Sequence, residues 1–248
     1  MRPPSTRWPV SHGKPLILRP THEAVMEDRP LFKDQVLDAS EVDRVLIPAS
    51  NNCKLGSHWS KGPWIGAPIY TLTLAERSTC PRTCPVREAC MDNHMHWPVR
   101  LIANDALYEK LESEIKLLSA LYGMFTVRLH QLGDFADETY TRFWLNKVHA
   151  IPELATFGFT AHLKSSKIGA LIEESSYLWD RFRIRFSAET DERSTTVMIA
   201  PPIGRHRAGI TCPVDAAPPK RDGKPRDLKC GSCGLCLTSR EPIVFKLH

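Results

Sequence analysis

Phe125-Thr126-Val127-Arg128-Leu129-His130 is β-branched and apolar enough for a buried strand, and what stands on either side of it decides the fold. Before it, residues 104–122 carry Leu107, Leu111, Ile115, Leu118 and Leu121 at spacings of three and four. That spacing predicts an amphipathic helix, with Asn104 as N-cap and Gly123 as its stop. After it, residues 136–150 place Tyr140, Phe143, Trp144 and Val148 on one helical face, and Pro152 lies just beyond the end. These aromatic residues read as core.

The alternation continues outward. Thr156 to Leu163 reads as a strand, 167–178 as a helix and Arg181 to Phe186 as a strand. Upstream, Ile69-Tyr70-Thr71-Leu72-Thr73-Leu74 alternates like a strand, and 35–47 holds a short helical turn and then a strand. Val197-Met198-Ile199 and Ile243-Val244-Phe245 are short strands. Repeated strand–helix–strand units predict an α/β fold with parallel strands and right-handed crossovers. A partial (β/α) barrel and an open parallel sheet both fit, with a Cys-rich segment at the C-terminus. The chain divides into an irregular N-terminal extension (1–45), an α/β core (46–200) and a basic loop with the Cys-rich segment (201–248).

Of the 248 residues, 25% are charged and 42% hydrophobic, as in globular proteins. No run of about 18 apolar residues exists, so no membrane-spanning helix is expected. The start is polar and proline-rich, unlike a signal peptide. A cytoplasmic location follows as the expectation, and there thiols stay reduced. Eight cysteines then point to metal or cluster ligation. Residues 201–229 carry seven Lys/Arg against three Asp, which is most of the net charge of +5. This segment is the expected contact for DNA or RNA.

The cysteines form two sets. Cys230-x2-Cys233-x2-Cys236 is preceded by Cys212, the natural fourth ligand. Two-residue gaps bring adjacent thiolates to one ion or one cluster edge, and this run is closer to a ferredoxin pattern than to paired zinc knuckles. Gly231 and Gly234 are expected to turn backbone amides toward the sulfurs. Cys80-x3-Cys84-x5-Cys90 directly follows the strand at 69–74. Three thiolates there would hold three irons of a [4Fe–4S] cluster and leave one iron open. Cys53 would close that site. A zinc ion held by Cys80, Cys84, Cys90 and His94 or His96 is the alternative.

Arg128, His130, Gly133 and Asp134 lie at the end of a predicted strand, where parallel α/β folds place their chemistry. Asp134 either accepts a hydrogen bond from a ligand or caps the next helix, and Gly133 lets a backbone come close. His162 and Lys164 end the next strand, and Ser187 and Glu189 a further one. Trp59 and Trp64 either stack bases or anchor their loop.

Asn52-x-Lys54-x-Gly56, the first cysteine motif, Arg128-x-His130-x2-Gly133-Asp134-Phe135, Cys212-Pro213 and a terminal Cys-x2-Cys pair occur in that order. Over about residues 50–240 this resembles the phage and plasmid "gene product eighty-eight" family. More remotely it resembles the partial barrel of radical S-adenosylmethionine enzymes. Here the second spacing is x5 where those enzymes have x2, and Gly133-Asp134-Phe135 replaces their Gly-Gly-Glu-Pro motif. The resemblance implies one or two [4Fe–4S] clusters, held by Cys80, Cys84 and Cys90 and by Cys212, Cys230, Cys233 and Cys236. It also implies S-adenosylmethionine at the open iron, a nucleic acid or nucleotide as substrate, and the cytoplasm of a bacterial host. Asp134, Arg128 and His130 would do the chemistry, and Gly133, Asp134 and Lys164 would bind the cofactor. The rival expectation is a zinc-stabilised nucleic-acid-binding or host-interaction protein without catalysis.

Overall fold

A computed structural model describes residues 16–52, 54–189, 195–198, 205–206, 209–216 and 228–246. Residues 1–15, Cys53 and most of the basic segment 201–229 lie outside them. In chain order the elements are α1 (Glu23–Met26), β1 (Val36–Leu37), β2 (Ile47–Pro48), β3 (Ile69–Thr71), β4 (Arg100–Leu101), α2 (Asp105–Leu121), β5 (Phe125–Leu129), α3 (Glu138–Ala150) and β6 (Leu154–Thr160). Then follow α4 (Lys167–Glu174), β7 (Phe182–Phe186), β8 (Thr195–Met198), β9 (Arg205–His206), β10 (Gly209–Thr211), α5 (Pro213–Ala216), α6 (Cys230–Cys233), α7 (Leu235–Thr238) and β11 (Ile243–Lys246).

The main sheet has the order β2-β3-β5-β6-β7. Strands β3, β5, β6 and β7 are parallel, and β2 is an antiparallel edge. The fold is therefore α/β and its sheet is open. Consecutive strands are neighbours, which is the winding of a (β/α) barrel stopped short of closure. A second sheet, β8-β11-β10-β9, carries the C-terminal region, and β1 pairs with β4.

Capping and periodicity explain the helices. The Asn104 side chain accepts from Leu107 N–H and starts α2; Asp137 does the same for α3 from Tyr140 N–H, and Ser166 for α4 from Gly169 N–H. Leu107, Leu111, Ile115, Tyr140, Trp144 and Ile172 pack against Phe125, Val127, Leu129, Phe182 and Ile184. All three helices thus cover one face of the sheet. Each fully buried Leu, Ile or Phe there contributes roughly 1.5–3 kcal/mol.

The opposite face is covered differently. Trp59 and Trp64 are buried against Ala155, Phe157 and Leu237. Their indole N–H groups donate to Thr126 Oγ1 (2.8 Å) and to Asp180 O (2.9 Å). Both tryptophans therefore anchor their loop and do not offer a stacking surface. Arg185 reaches across to Ser239 O and Glu241 O and ties the C-terminal segment to β7.

Some boundaries move. The strand expected at 69–74 pairs only over Ile69–Thr71, and β6 starts at Leu154. The helix expected over 167–178 is α-helical to Glu174 and finishes as a tighter 3-10 turn, Ser175–Leu178. Within the extension 1–45, the residues from 16 onward hold α1 and β1, with Leu18, Ala24 and Val25 in a small core of their own. Among the described residues no helix is long and apolar enough to cross a membrane.

Candidate functional site

The loops after β3, β5, β6 and β7 meet at the carboxyl end of the sheet. Gly133 has φ +81°, and a Cβ there would stand 2.7 Å from Leu74 Cβ and 2.8 Å from Thr79 Oγ1. Only glycine lets the β5 loop press this closely on the loop that leads to Cys80. Asp134 N–H then donates to Thr79 Oγ1 (3.2 Å).

Asp134 is buried, and its carboxylate accepts from Phe135 N–H and Ala161 N–H, both at 2.7 Å. It joins the β5 and β6 loops. The helix cap is Asp137, so the capping alternative for Asp134 is settled against. Burial raises its pKa, while nearby His162 and these hydrogen bonds oppose the rise.

Cys80, Cys84 and Cys90 are free thiols, the first two near Asp134 and all three near Asp92. Burial pushes all three up, Cys84 to about 11; the charge of Asp92 adds to this at all three and that of Asp134 at Cys80 and Cys84. Behind them lies a buried ion network. Arg77 Nη1 donates to Asp92 Oδ2 (2.9 Å), and Arg100 Nε donates to Glu76 Oε2 (2.6 Å). Glu76 is raised to about 7, by burial first and then by neighbouring Asp92, with Arg100 opposing. Sequence reading passed over Glu76, Arg77, Asp92 and Arg100. The available signal was a loop alternating acids and arginines around its cysteines.

The second set gathers on the face opposite α2, α3 and α4. Cys212, Cys230, Cys233 and Cys236 pack together with Val214, Leu235 and Ile243. Burial raises Cys212 to about 12 and raises Cys230 and Cys236; Arg128 and Lys54 pull Cys230 down, and Arg185 and Arg128 pull Cys236 down. The backbone amides are used elsewhere than expected. Cys230 N–H donates to Lys54 O (2.7 Å) and Gly231 N–H to Leu55 O (2.9 Å). Gly231 serves close approach instead, since a Cβ would stand 2.2 Å from His58 O.

The remaining expected residues separate. Arg128 does not join Asp134. Its guanidinium stacks on Phe159 (4.8 Å to the ring centre) and faces Cys230, Cys236 and Cys212, because residue parity on β5 turns it away from the helices. His130 packs in the core between Phe135 and Tyr140, with Nε2 2.8 Å from the Tyr140 hydroxyl. Burial, then Arg128 and His162, lower it to about 3, so it is neutral at physiological pH. Lys164 holds its ammonium over Phe186 (5.2 Å) and 3.6 Å from Glu173. Glu189 accepts the Lys164 backbone N–H (3.0 Å). His162 Nε2 lies 2.9 Å from Phe135 O, at the margin of an open depression of about 330 Å³ bounded by Asp137, Ser166 and Lys167.

His94 and His96 do not turn toward the thiols. His94 Nε2 accepts from Leu16 N–H (2.7 Å), and the His96 ring packs edge-on to Phe32 and Trp97.

Both cysteine sets suit metal in donor chemistry: reduced thiols, half-buried apart from the buried Cys212, and mutually repelling once ionised. Arg128 adds a second sign. Its Nε is buried without a hydrogen-bond partner, so a cation faces three thiols, with no carboxylate paired to it among the described residues. Among the described residues no three Cys, His, Asp or Glu side chains stand at ligating distance around one point, so ligation would draw the thiols inward. No family model matches the chain, and neither a curated protein nor a solved structure shows significant similarity to it.

Proposed function

We propose that this is an iron–sulfur protein with two centres of different character. Cys80, Cys84 and Cys90 hold the reactive one at the carboxyl ends of the parallel strands. Cys212, Cys230, Cys233 and Cys236 hold a closed one on the opposite face. One observation carries the reading: all seven cysteines outside 53 are free thiols, and they gather as two sets against a single parallel sheet. A bound cluster supplies one-electron chemistry. Asp134 keeps two loops closed over the first set, and Gly133 lets the β5 loop pack directly on the loop that leads to Cys80.

The open, barrel-like winding supports a radical S-adenosylmethionine-like role, with that molecule as the ligand of the first centre. A nucleotide or nucleic acid is the substrate class favoured by the charge of 201–229. The setting would be the cytoplasm of a bacterial host.

Anaerobic purification with iron and sulfide analysis tests this. The expected result is a brown protein with roughly four to eight irons per chain, for one or two cubane clusters. Its paramagnetic resonance spectrum should change on adding S-adenosylmethionine. Colourless protein with stoichiometric zinc overturns the reading. Zinc would then be a staple, as the closed four-thiol pattern of the C-terminal set favours, in a protein that binds nucleic acid without catalysis.

A further inference from the structure

Residues 16–31 carry a small core of their own, in which Leu18, Ala24 and Val25 are buried and Leu31 packs on them. None of the four belongs to the main core of the sheet. So little apolar surface gives the segment a weak hold, and its seat depends on polar contacts. Among the described residues, the hydrogen bonds and ion pairs that leave it all run to residues 76–94, the stretch that bears Cys80, Cys84 and Cys90.

Every interval of the cysteine motif is held. Between Cys80 and Cys84, Arg82 Nε donates to Asp28 Oδ2 (2.8 Å), and its Nη2 bonds the same oxygen. Between Cys84 and Cys90, Arg87 Nη2 pairs with Asp28 Oδ1 and donates to Val25 O (3.3 Å). Glu88 O accepts from Leu18 N–H (2.9 Å). After Cys90, Asn93 Nδ2 donates to Leu16 O (2.8 Å), and His94 Nε2 accepts from Leu16 N–H (2.7 Å).

The loop itself has little to resist opening. Residues 80–90 form no helix or strand. The backbone hydrogen bonds among them are Cys84 N–H to Pro81 O (3.1 Å) and Arg87 N–H to Cys84 O (3.3 Å). The three thiols are half-buried. Asp28 joins the two segments most firmly. It stands at φ +52°, a left-handed conformation that asparagine and aspartate adopt more readily than other side chains. From there one carboxylate spans two arginines from different intervals of the motif, and charge-assisted bonds of this kind are roughly twice as strong as neutral ones.

We propose that residues 16–31 are a clasp on the cysteine loop, latched by Asp28 on Arg82 and Arg87, and that its release opens Cys80, Cys84 and Cys90 to incoming molecules. As a control on a metal centre the clasp rests on the iron–sulfur reading; as a control on the thiols it does not. It acts on one set alone, because among the described residues no hydrogen bond or ion pair from 16–31 reaches Cys212, Cys230, Cys233 or Cys236.

The test uses the full chain, reduced and anaerobic. Alkylation by iodoacetamide is followed cysteine by cysteine by mass spectrometry, with hydrogen exchange of the 80–90 amides, which reads opening whether or not metal is bound. Asp28→Asn keeps a residue suited to the left-handed backbone and removes the charge. It should raise the rates at Cys80, Cys84 and Cys90 by about tenfold, the scale of lost bonds to a charged group. Arg82→Gln, at an exposed side chain, should raise them by about two- to fivefold. The two substitutions change the local charge in opposite senses. A shift in thiol ionisation alone would move the rates in opposite directions, whereas release of the clasp moves both upward. Rates and exchange unchanged in Asp28→Asn overturn the proposal. So do rates that move oppositely in the two variants, or that rise equally at the four C-terminal cysteines. Reconstitution with ferrous iron and sulfide runs in parallel: a wild-type protein that takes up no iron removes the iron–sulfur reading, and the thiol rates still decide the clasp.

Discussion

The two cysteine sets sit on one sheet in opposite electrostatic surroundings. Cys80, Cys84 and Cys90 face Asp92, and the first two also Asp134; these charges push the thiols further up than burial alone. Cys230 and Cys236 face Arg128, with Lys54 and Arg185 nearby, and these pull against burial. Four thiolates around a divalent ion or a cluster leave net negative charge, which a buried guanidinium balances. Three thiolates among carboxylates have no such balance and need more positive charge on the metal itself. The same residue type is thus prepared for a permanent anionic centre on one face and for an exchangeable one at the strand ends.

Removing ligands should expose this asymmetry most strongly. Cys212, Cys230, Cys233 and Cys236 connect β10, the 54–60 loop and β11, so a metal there links segments far apart in sequence. Cys230→Ser with Cys236→Ser should lower the stability of the metal-loaded protein by more than about 4 kcal/mol, the range of lost metal sites. Cys84→Ser should cost about 1 kcal/mol, the centre of ordinary substitutions. Denaturant titration of metal-loaded proteins reads both. Equal losses would break the comparison.

His130 sits between the two environments, lowered by burial, by Arg128 and by His162 to about 3. Its folded-state pKa lies below the unfolded value near 6.5. Between these values the unfolded chain binds the extra proton, so stability is present above about pH 6.5 and is lost as pH falls toward 3. The slope contributed is at most about 1.4 kcal/mol per pH unit. His130→Gln should flatten the acid limb by that slope relative to wild type, in urea titrations at several pH values. An unchanged difference between pH 7 and 5 would show that His130 is not held neutral.

The fold was legible because periodicity reports burial. Leu107, Leu111 and Ile115 recur at helical spacing, and Ile69, Phe125 and Phe182 begin strands that pair in chain order. The site was legible only in its donors. Cysteine spacing marks two sets but says nothing of what surrounds them. Arg128 lies five residues before Gly133 in the expected site, yet strand parity sends it to the other face. Asp92 and Arg77 join through a turn and a left-handed residue, and neither leaves a periodic trace. His94 and His96 fit a zinc spacing, but long-range partners such as Leu16 and Phe32 claim them.

Arg128 gives the finest test of the comparison. It stacks on Phe159 and has a buried Nε without a hydrogen-bond partner, so its charge acts on the thiols across space. Reduction adds an electron to a centre that is already anionic, and a neighbouring cation favours the reduced form. Arg128→Met keeps a side chain of similar reach over the Phe159 ring and removes the charge. The midpoint potential of the C-terminal centre should then fall by about 60 mV, a tenfold change for one electron. The N-terminal centre should hold its potential, because its nearest fixed charges are Asp92 and Asp134. Arg128→Lys should recover most of the shift, since the cation returns without the planar stack. A fall at both centres would mean that the sheet does not separate them electrostatically, and no fall at either would remove Arg128 as the balancing charge.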